Sequence, residues 1–241
     1  MFSQFPKQRA PLPPEYAAIY LQHYRNSREG NSGILSLAQK AERWMHRKVA
    51  EDVTGSSPKA TLEIGAGNLN QLPYEPHSQP YDIIEPFREL YESSPHRGRL
   101  RNIYEDISEI PSEHRYDRIT SVAVLEHICN LPELVARAAL LLADGGSFRA
   151  GIPSEGTILW RLGWQMTTGP AFRARHNLDY KVLMRYEHVN TAREIEEVLR
   201  YFFAETRTSV FGLVRSLSFY QFFACSKPAL ERCRNYLATS S

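Results

Sequence analysis

A glycine turn directly after a short apolar segment is the feature that most restricts the fold of this chain. Residues 60–64 predict a buried strand, and Gly65 and Gly67 follow it at once. Glycine lets the backbone turn sharply and approach a ligand closely, and open α/β sheets bind nucleotides at such turns. The turn therefore predicts a sheet whose carboxyl edge carries a ligand site.

The rest of the chain alternates between strand and helix patterns. Strands are predicted at 81–84, 100–104, 116–125 and 147–152, and helices at 87–94 and 131–143. A capping-box pattern, Thr191 to Glu194, opens a helix through Phe203, and two strands that pair antiparallel follow at 206–214 and 218–226. We predict an α/β fold: a Rossmann-like, seven-stranded, mostly parallel sheet with an antiparallel last strand and helices on both faces.

Three segments frame this sheet. Residues 1–58 are predicted to be an N-terminal helical segment, with helices at 15–24 and 34–53. Residues 59–226 form the main domain, which includes an insertion at 154–190, and residues 227–241 form a C-terminal tail. We expect the N-terminal segment and the insertion to line the sides of the site at the carboxyl edge of the sheet.

Composition excludes a disordered chain, a collagen and a coiled coil, and other features of the sequence bear on partners and location. Of the 241 residues, 42% are hydrophobic and 23% are charged, which is ordinary for a globular domain. The net charge of +2 gives no electrostatic case for nucleic acid or an anionic membrane. No signal-peptide pattern is visible, and the apolar stretch 216–226 is too short to span a bilayer. Three cysteines without a C-x-x-C pair favour a cytoplasmic location without disulfides.

Two acids extend the glycine turn into a candidate nucleotide site. Glu85 ends the second strand, about twenty residues after Gly65, where an acid accepts hydrogen bonds from ribose hydroxyls. Asp106 ends the third strand, where an adenine amino group would lie. Prolines at 73 and 76 prevent the long helix that a dinucleotide pyrophosphate requires. The pattern thus favours S-adenosylmethionine over a nicotinamide dinucleotide, with Glu63 as a candidate contact for the methionine ammonium group.

On these motifs the sequence resembles the class I S-adenosylmethionine-dependent methyltransferases. Residues 63–67 are similar to the first motif of the family, residues 105–107 to its adenine-contacting segment, and residues 124–127 to the exit of its fourth strand. Leu69 stands where the family has a third glycine. The resemblance implies S-adenosylmethionine as cofactor, with these candidate contacts: Glu63, Gly65, Ala66, Gly67, Asn68, Glu85, Pro86, Asp106, Ile107 and Val124.

Other polar side chains are candidates for the acceptor side of the site. His127, after the fourth strand, and His188, in the insertion, are candidate general bases. The candidate substrate-binding residues are Glu155, Trp164, His176 and Arg185. For each of them a surface or packing role remains the alternative. We expect no metal, because the sequence has no ligand spacing such as H-E-x-x-H.

The predicted reaction is methyl transfer to an oxygen or nitrogen atom of a small molecule. Aromatic rings and arginines in the insertion favour a sugar or sugar nucleotide as acceptor. Residues 152–156 and 185–190 also resemble bacterial methyltransferases of surface-polysaccharide or nodulation-type clusters. Two alternatives stay open: a catalytically silent nucleotide-binding partner subunit and a nicotinamide-dependent dehydrogenase. The sequence does not set the oligomeric state.

Overall fold

The centre of the fold is one seven-stranded sheet. The computed structural model describes residues 2–17, 19–20, 36–54, 57–166 and 168–240. The strands are β1 (Thr61–Ile64), β2 (Tyr81–Ile84), β3 (Ile103–Tyr104), β4 (Tyr116–Val122), β5 (Leu142–Pro153), β6 (Phe203–Val214) and β7 (Leu217–Pro228). Their order is β3-β2-β1-β4-β5-β7-β6, and only β7 runs antiparallel to its neighbours. The predicted fold class is confirmed.

Helices lie along both faces of the sheet. They are α1 (Ser36–Ala50), α2 (Arg88–Tyr91), α3 (Leu131–Leu140), α4 (Ile158–Met166), α5 (Thr168–His176), α6 (Tyr180–Glu187), α7 (Ala192–Phe202) and α8 (Leu230–Ser240). Short 3-10 turns occur at Leu72–Tyr74, Arg97–Arg99, Ile107–Glu109 and Leu125–His127. Among the described residues, none of these helices combines the length and apolar character that crossing a membrane requires.

The two faces of the sheet are covered in different ways. On one face α3, α7 and α8 pack into the main apolar core, which includes Val135, Phe202 and Cys233. On the other face α1 approaches so closely that a Cβ on Gly151 would overlap the side chain of Met45. Every residue of β1 and β2 is buried, as expected for central strands with cover on both sides.

Several boundaries differ from the sequence predictions. The helix predicted at 131–143 ends at Leu140, and β5 already begins at Leu142. The pairing of β4 with β5 is irregular between Tyr116 and Arg118, and Gly145 has a φ of +77° there, so the glycines form an irregularity within a strand. The predicted C-terminal tail contains helix α8. The helix predicted at 15–24 is described at 14–17 and 19–20, and the rest of it lies outside the described residues.

Candidate functional site

Left-handed backbone conformations cluster in the loops after β1 and β4. Gly65, Gly67, Leu69 and Ala123 have φ values of +70°, +51°, +64° and +53°. A positive φ costs a residue other than glycine about 1–2 kcal/mol, and such strain is concentrated at functional sites. Leu69, at the third glycine position of the family pattern, therefore keeps the backbone conformation that glycine favours.

The loops after β1 and β4 are in direct contact through Gly65. A Cβ built on Gly65 would lie 2.7 Å from Cγ1 of Val124 and closer still to Cγ2. Only glycine fits at this position, because both the positive φ and the lack of space exclude a side chain. The structure thus brings together two residues that the sequence predicted on the cofactor side.

The carboxylate of Glu85 fastens the glycine turn to the end of β2. Oε2 accepts a hydrogen bond of 2.7 Å from the backbone N–H of Gly67, and Oε1 accepts one of 3.1 Å from Phe87 N–H. The residue is buried. A carboxylate has about four acceptor positions, so Glu85 retains the capacity to accept further hydrogen bonds.

Asp106 lies at the same edge, one strand further out. It is exposed and caps the 3-10 turn Ile107–Glu109, with Oδ1 accepting a hydrogen bond of 2.8 Å from Ser108 N–H. That hydrogen bond lowers the pKa of Asp106, so the group is an anion at neutral pH. The end of β3 is joined to the end of β2, because Glu85 N–H donates to Tyr104 O over 2.9 Å. Glu85 and Asp106 are therefore acceptors on adjacent strand ends.

Glu63 differs from the other acids because it is buried within β1. It accepts a hydrogen bond of 2.9 Å from the Tyr81 hydroxyl. Burial raises the pKa of Glu63 to about 8, an effect that the Tyr81 hydrogen bond opposes. The group is consequently mostly protonated at neutral pH, and its contact with a methionine ammonium group stays a prediction.

Three of the predicted acceptor-side residues form one cluster. The imidazole Nδ1 of His188 lies 2.7 Å from Oε2 of Glu155. The rings of His127 and His188 meet edge to face with their centroids 4.9 Å apart. Trp160 completes the group, since its indole N–H donates to Glu155 and its ring stacks on His188 at 6.3 Å.

Hydrogen bonds to backbone carbonyls, from one side chain and from two N–H groups, hold the two chain segments of this cluster together. The fully buried Asn190 donates from Nδ2 to Leu125 O over 2.8 Å and to Ile128 O over 2.7 Å. The N–H groups of Val189 and Asn190 both donate to Glu126 O, over 2.9 and 3.0 Å. The segment that carries His188 is thereby fixed beside the turn that carries His127.

Burial and neighbouring charges shift the pKa of two groups in the cluster, His188 and Glu126. Burial acts to lower the pKa of His188, but the hydrogen bond to Glu155 and the charge of Glu126 outweigh it, so the pKa is raised. Burial raises the pKa of Glu126 to about 7, against the opposing effect of His188. Glu126 was not among the site residues predicted from the sequence, although an acid directly before a histidine at the exit of a buried strand was an available signal.

The other three candidates lie among the helices of the insertion. Trp164 packs against Tyr180 at 6.0 Å, and the ring of His176 packs against Phe172 at 4.7 Å. Arg185 is exposed on α6. The aromatic residue that touches the His188 cluster is Trp160 rather than Trp164.

A cavity of about 330 Å³ lies elsewhere, on the outer side of α1. It is lined mainly by basic side chains together with two aromatic rings: Lys40, Arg43, Trp44, Arg47, Lys48, Glu51 and Phe211. None of these is a predicted site residue. We place the candidate site at the strand-end loops and the histidine cluster instead, because ligands of open α/β sheets bind at the carboxyl edge.

Comparison with known proteins places the chain by fold. No protein-family model matches it, and no curated protein matches its sequence. A methyltransferase from Thermotoga maritima that depends on S-adenosylmethionine matches 88% of this chain and 99% of its own, at 14% identity and a TM-score of 0.55. The N-methyltransferase NodS from Bradyrhizobium japonicum matches 78% and 97%, at 16% identity and a TM-score of 0.55.

A third solved structure has the same arrangement. It is the magnesium protoporphyrin IX methyltransferase from Synechocystis with bound S-adenosylhomocysteine, which matches 88% of this chain and 96% of its own, at 14% identity and a TM-score of 0.53. The chain has the fold of the class I S-adenosylmethionine-dependent methyltransferases.

Proposed function

We propose that this chain, which is folded like the class I methyltransferases, transfers the methyl group of S-adenosylmethionine to an oxygen or nitrogen atom of a small molecule. The observation that carries the proposal is the Glu85 carboxylate, buried at the end of β2 and bonded to the N–H of Gly67. In this proposal the carboxylate accepts hydrogen bonds from the ribose hydroxyls, beside a glycine turn that lets a ligand approach the backbone.

The cofactor half of the site uses the ends of four adjacent strands. Glu85 would hold the ribose, and Asp106 with Ile107 would border the adenine. The other proposed cofactor contacts lie in the same strand-end loops: Gly65, Ala66, Gly67, Asn68, Pro86 and Val124. The sulfonium charge of S-adenosylmethionine already activates the methyl group, so the work of the protein is mainly to align the reactants and exclude water.

The acceptor half is the cluster around His188. An oxygen acceptor must lose its proton as the methyl group arrives, and an imidazole held by a carboxylate is suited to assist that loss. Glu155 orients His188 through the 2.7 Å contact, and His127 lies against its ring. We propose that the acceptor binds at this group, under the helices of the insertion.

A sugar or a sugar nucleotide is the proposed class of acceptor. Aromatic rings stack on sugar rings, and arginine binds phosphate in a bidentate way. The insertion offers both, in Trp160, Trp164 and the exposed Arg185. Solved neighbours of the same fold include the N-methyltransferase NodS and a magnesium protoporphyrin IX methyltransferase, so the fold itself leaves the acceptor open.

Calorimetry with S-adenosylhomocysteine and with NAD tests the cofactor. We expect binding of the first and none of the second. Glu85→Ala removes a charged acceptor worth about 1.5–3 kcal/mol, so the dissociation constant is expected to rise roughly 10- to 150-fold. The matched control is Glu92→Ala, because Glu92 is an exposed acid paired with Arg88. Unchanged affinity in a folded Glu85→Ala variant contradicts the assignment, and binding of NAD alone favours the dehydrogenase.

Turnover separates an enzyme from a silent subunit. A panel of sugars and sugar nucleotides is incubated with S-adenosylmethionine, and S-adenosylhomocysteine is measured. Arg185→Ala is expected to lower turnover while the S-adenosylhomocysteine dissociation constant changes less than about tenfold, or 1.4 kcal/mol. Arg193→Ala, an exposed arginine on α7, is the control. Cofactor binding without turnover on any acceptor would support the silent subunit.

A further inference from the structure

We infer that Glu126, His127 and His188 form a binding site for one divalent first-row transition-metal ion. Each of these residues offers one ligand atom, and the three atoms lie within 4.8 Å of one another. The sequence alone predicts no metal, since it has no ligand spacing such as H-E-x-x-H, and His188 is far from the other two residues along the chain. The fold brings the three together at the carboxyl edge of the sheet.

Hydrogen bonds set both imidazoles in the orientation that metal ligands require. Nδ1 of His127 lies 2.9 Å from Glu187 O, and a carbonyl only accepts, so Nδ1 carries the hydrogen. Nδ1 of His188 donates in the same way to the Glu155 carboxylate over 2.7 Å. In both neutral rings Nε2 then holds the lone pair. An imidazole that donates through its other nitrogen to a carbonyl or carboxylate is typical of metal-bound histidine.

The carboxylate of Glu126 supplies the independent indication of a ligand. The residue is 1% exposed, and its Oε2 has no hydrogen-bond partner among the described residues. Its Oε1 lies 3.7 Å from Nε2 of His127. A buried carboxylate oxygen without a partner is costly, and coordination of a cation is one of the few ways to satisfy it.

The supporting backbone makes this juxtaposition a fixed feature. Asn190 and the N–H of Val189 bind the chain after His188 to the turn that contains Glu126. From the N-terminal segment, Arg9 donates to His127 O over 2.7 Å and Lys7 donates to Val189 O over 2.7 Å. Ligand residues that are already held in place by the surrounding structure lose less conformational entropy when they bind an ion.

Two imidazoles and one carboxylate match known metal chemistry. The same donors bind catalytic zinc and non-haem iron, and they leave coordination positions open for water or substrate. Ligand atoms at about 2.1 Å from an ion are roughly 3.0–3.5 Å apart. The three atoms here lie within 4.8 Å of one another, so binding an ion requires them to move closer by up to about 1.3–1.8 Å. Imidazole donors favour zinc, iron and cobalt over magnesium.

The chemical role of the ion rests on the proposed function. An acceptor hydroxyl bound in an open position has a lowered pKa, so its O–H bond breaks and the proton passes to water. The oxygen lone pair then forms the bond to the methyl carbon. The carbon–sulfur bond breaks, and its electron pair stays on sulfur, which leaves neutral S-adenosylhomocysteine. With the ion bound, His127 and His188 act on the acceptor through the ion, and this replaces the direct proton-accepting role proposed above for His188.

Cobalt is the probe for the site, because Co²⁺ bound by nitrogen ligands absorbs visible light. The full chain, produced without a polyhistidine tag and stripped with a chelator, is titrated with CoCl₂ while the visible spectrum is recorded. Competition with ZnCl₂ and MgCl₂ follows. We expect saturation at one Co²⁺ per chain, displacement by Zn²⁺ and no displacement by Mg²⁺ at equal concentration.

Variants assign the ligands. Co²⁺ binding is expected to weaken more than tenfold in each of the ligand variants Glu126→Gln, His127→Asn and His188→Asn. Glu155→Gln changes a positioning residue and is expected to weaken Co²⁺ binding by about 10- to 100-fold. His77→Asn, an exposed histidine outside the cluster, is the control and is expected to bind as the parent does. Circular dichroism selects the folded variants, and any one folded ligand variant is sufficient for the comparison.

Two results overturn the inference. One is the lack of saturable Co²⁺ binding by the folded parent, and the other is equal binding by the parent and a folded His188→Asn variant. Both measurements use the chain without cofactor or acceptor. A protein that binds Co²⁺ through these residues but does not bind S-adenosylhomocysteine would refute the proposed function and leave the metal site intact.

Discussion

The close packing of Gly65 against Val124 gives a prediction that separates two causes of glycine dependence. In Gly65→Ala the new Cβ meets the Val124 side chain, and the backbone φ of +70° is also unfavourable. Gly145 has a φ of +77°, but a Cβ added there would have no atom within 4 Å, and Gly98 has open space and no positive φ. Alanine at these three sites therefore tests both causes, one cause and neither.

The expected magnitudes follow from these environments. Gly145→Ala is expected to destabilise the chain by about 1–2 kcal/mol, the strain of a left-handed alanine. Gly65→Ala adds an overlap worth about 1–3 kcal/mol, which gives a total of about 2–5 kcal/mol. Gly98→Ala is expected to stay within about 0.5 kcal/mol of the parent. For a chain of this size each kcal/mol corresponds to roughly 2–4 °C in Tm.

Urea denaturation of a double-mutant cycle provides the measurement. Val124→Ala removes the methyl groups that the Gly65→Ala side chain meets, so the double variant is expected to be more stable than the sum of the single changes predicts. The expected interaction energy is about 1–3 kcal/mol. If Gly65→Ala is no more destabilising than Gly145→Ala, or if Val124→Ala restores nothing, the contact between the two loops is not as the structure describes.

Two further outcomes are expected. The pKa of Glu63 is raised to about 8 from 4.5, so the folded chain holds a proton that the unfolded chain releases, and the contribution of this group to stability falls as pH rises from about 4.5 to 8. The side chain of Glu63→Gln cannot titrate, so its free energy of unfolding in urea is expected to rise relative to that of the parent across that pH range, by up to about 1.4 kcal/mol per pH unit. A difference between variant and parent that does not change with pH would contradict the pKa shift. Asn190→Ala leaves the carbonyls of Leu125 and Ile128 without their donor and is expected to lower the free energy of unfolding by about 2–4 kcal/mol in the same assay. The control Asn235→Ala, at an exposed position on α8, is expected to be neutral. Equal effects of the two changes would show that the Asn190 side chain does not hold the two segments together.

Local signals explain why most of the fold was predictable. Strand β2 and helix α7 match their predictions because each is bounded by residues with a strong local preference, and the capping box of Thr191 and Glu194 is formed as expected. The start of β5 was missed, because residues 141–143 continue the apolar helical pattern of α3. There, pairing with β4 outweighs the local preference, which no pattern within one segment reveals.

The two halves of the site differed in the same respect. The proposed cofactor side lies in short motifs at strand ends, so Gly65, Glu85 and Asp106 could be predicted as contacts from their spacing, and these contacts stay predictions. The acceptor side depends on contacts between distant segments, and the sequence could not show that Glu155 and His188 meet or that Glu126 faces them. Trp164 was named as a candidate and Trp160 was not, although composition cannot say which indole of the insertion reaches the cluster.

Leu69 shows how a departure from a family motif can be read in energetic terms. Its φ of +64° retains the conformation for which glycine is usual, and its side chain is fully buried with Leu72 and Tyr81. Glycine would relieve about 1–2 kcal/mol of strain, but loss of a buried leucine side chain costs about 2–5 kcal/mol. We therefore expect Leu69→Gly, a change toward the family pattern, to destabilise the chain by about 2 kcal/mol in urea denaturation, the middle of the range of about 0–4 kcal/mol that these two effects allow. Leu69→Ala is expected to be worse, because it keeps the strain and loses the packing. If Leu69→Gly is instead more stable than the parent, strain at this turn outweighs the burial of the leucine side chain.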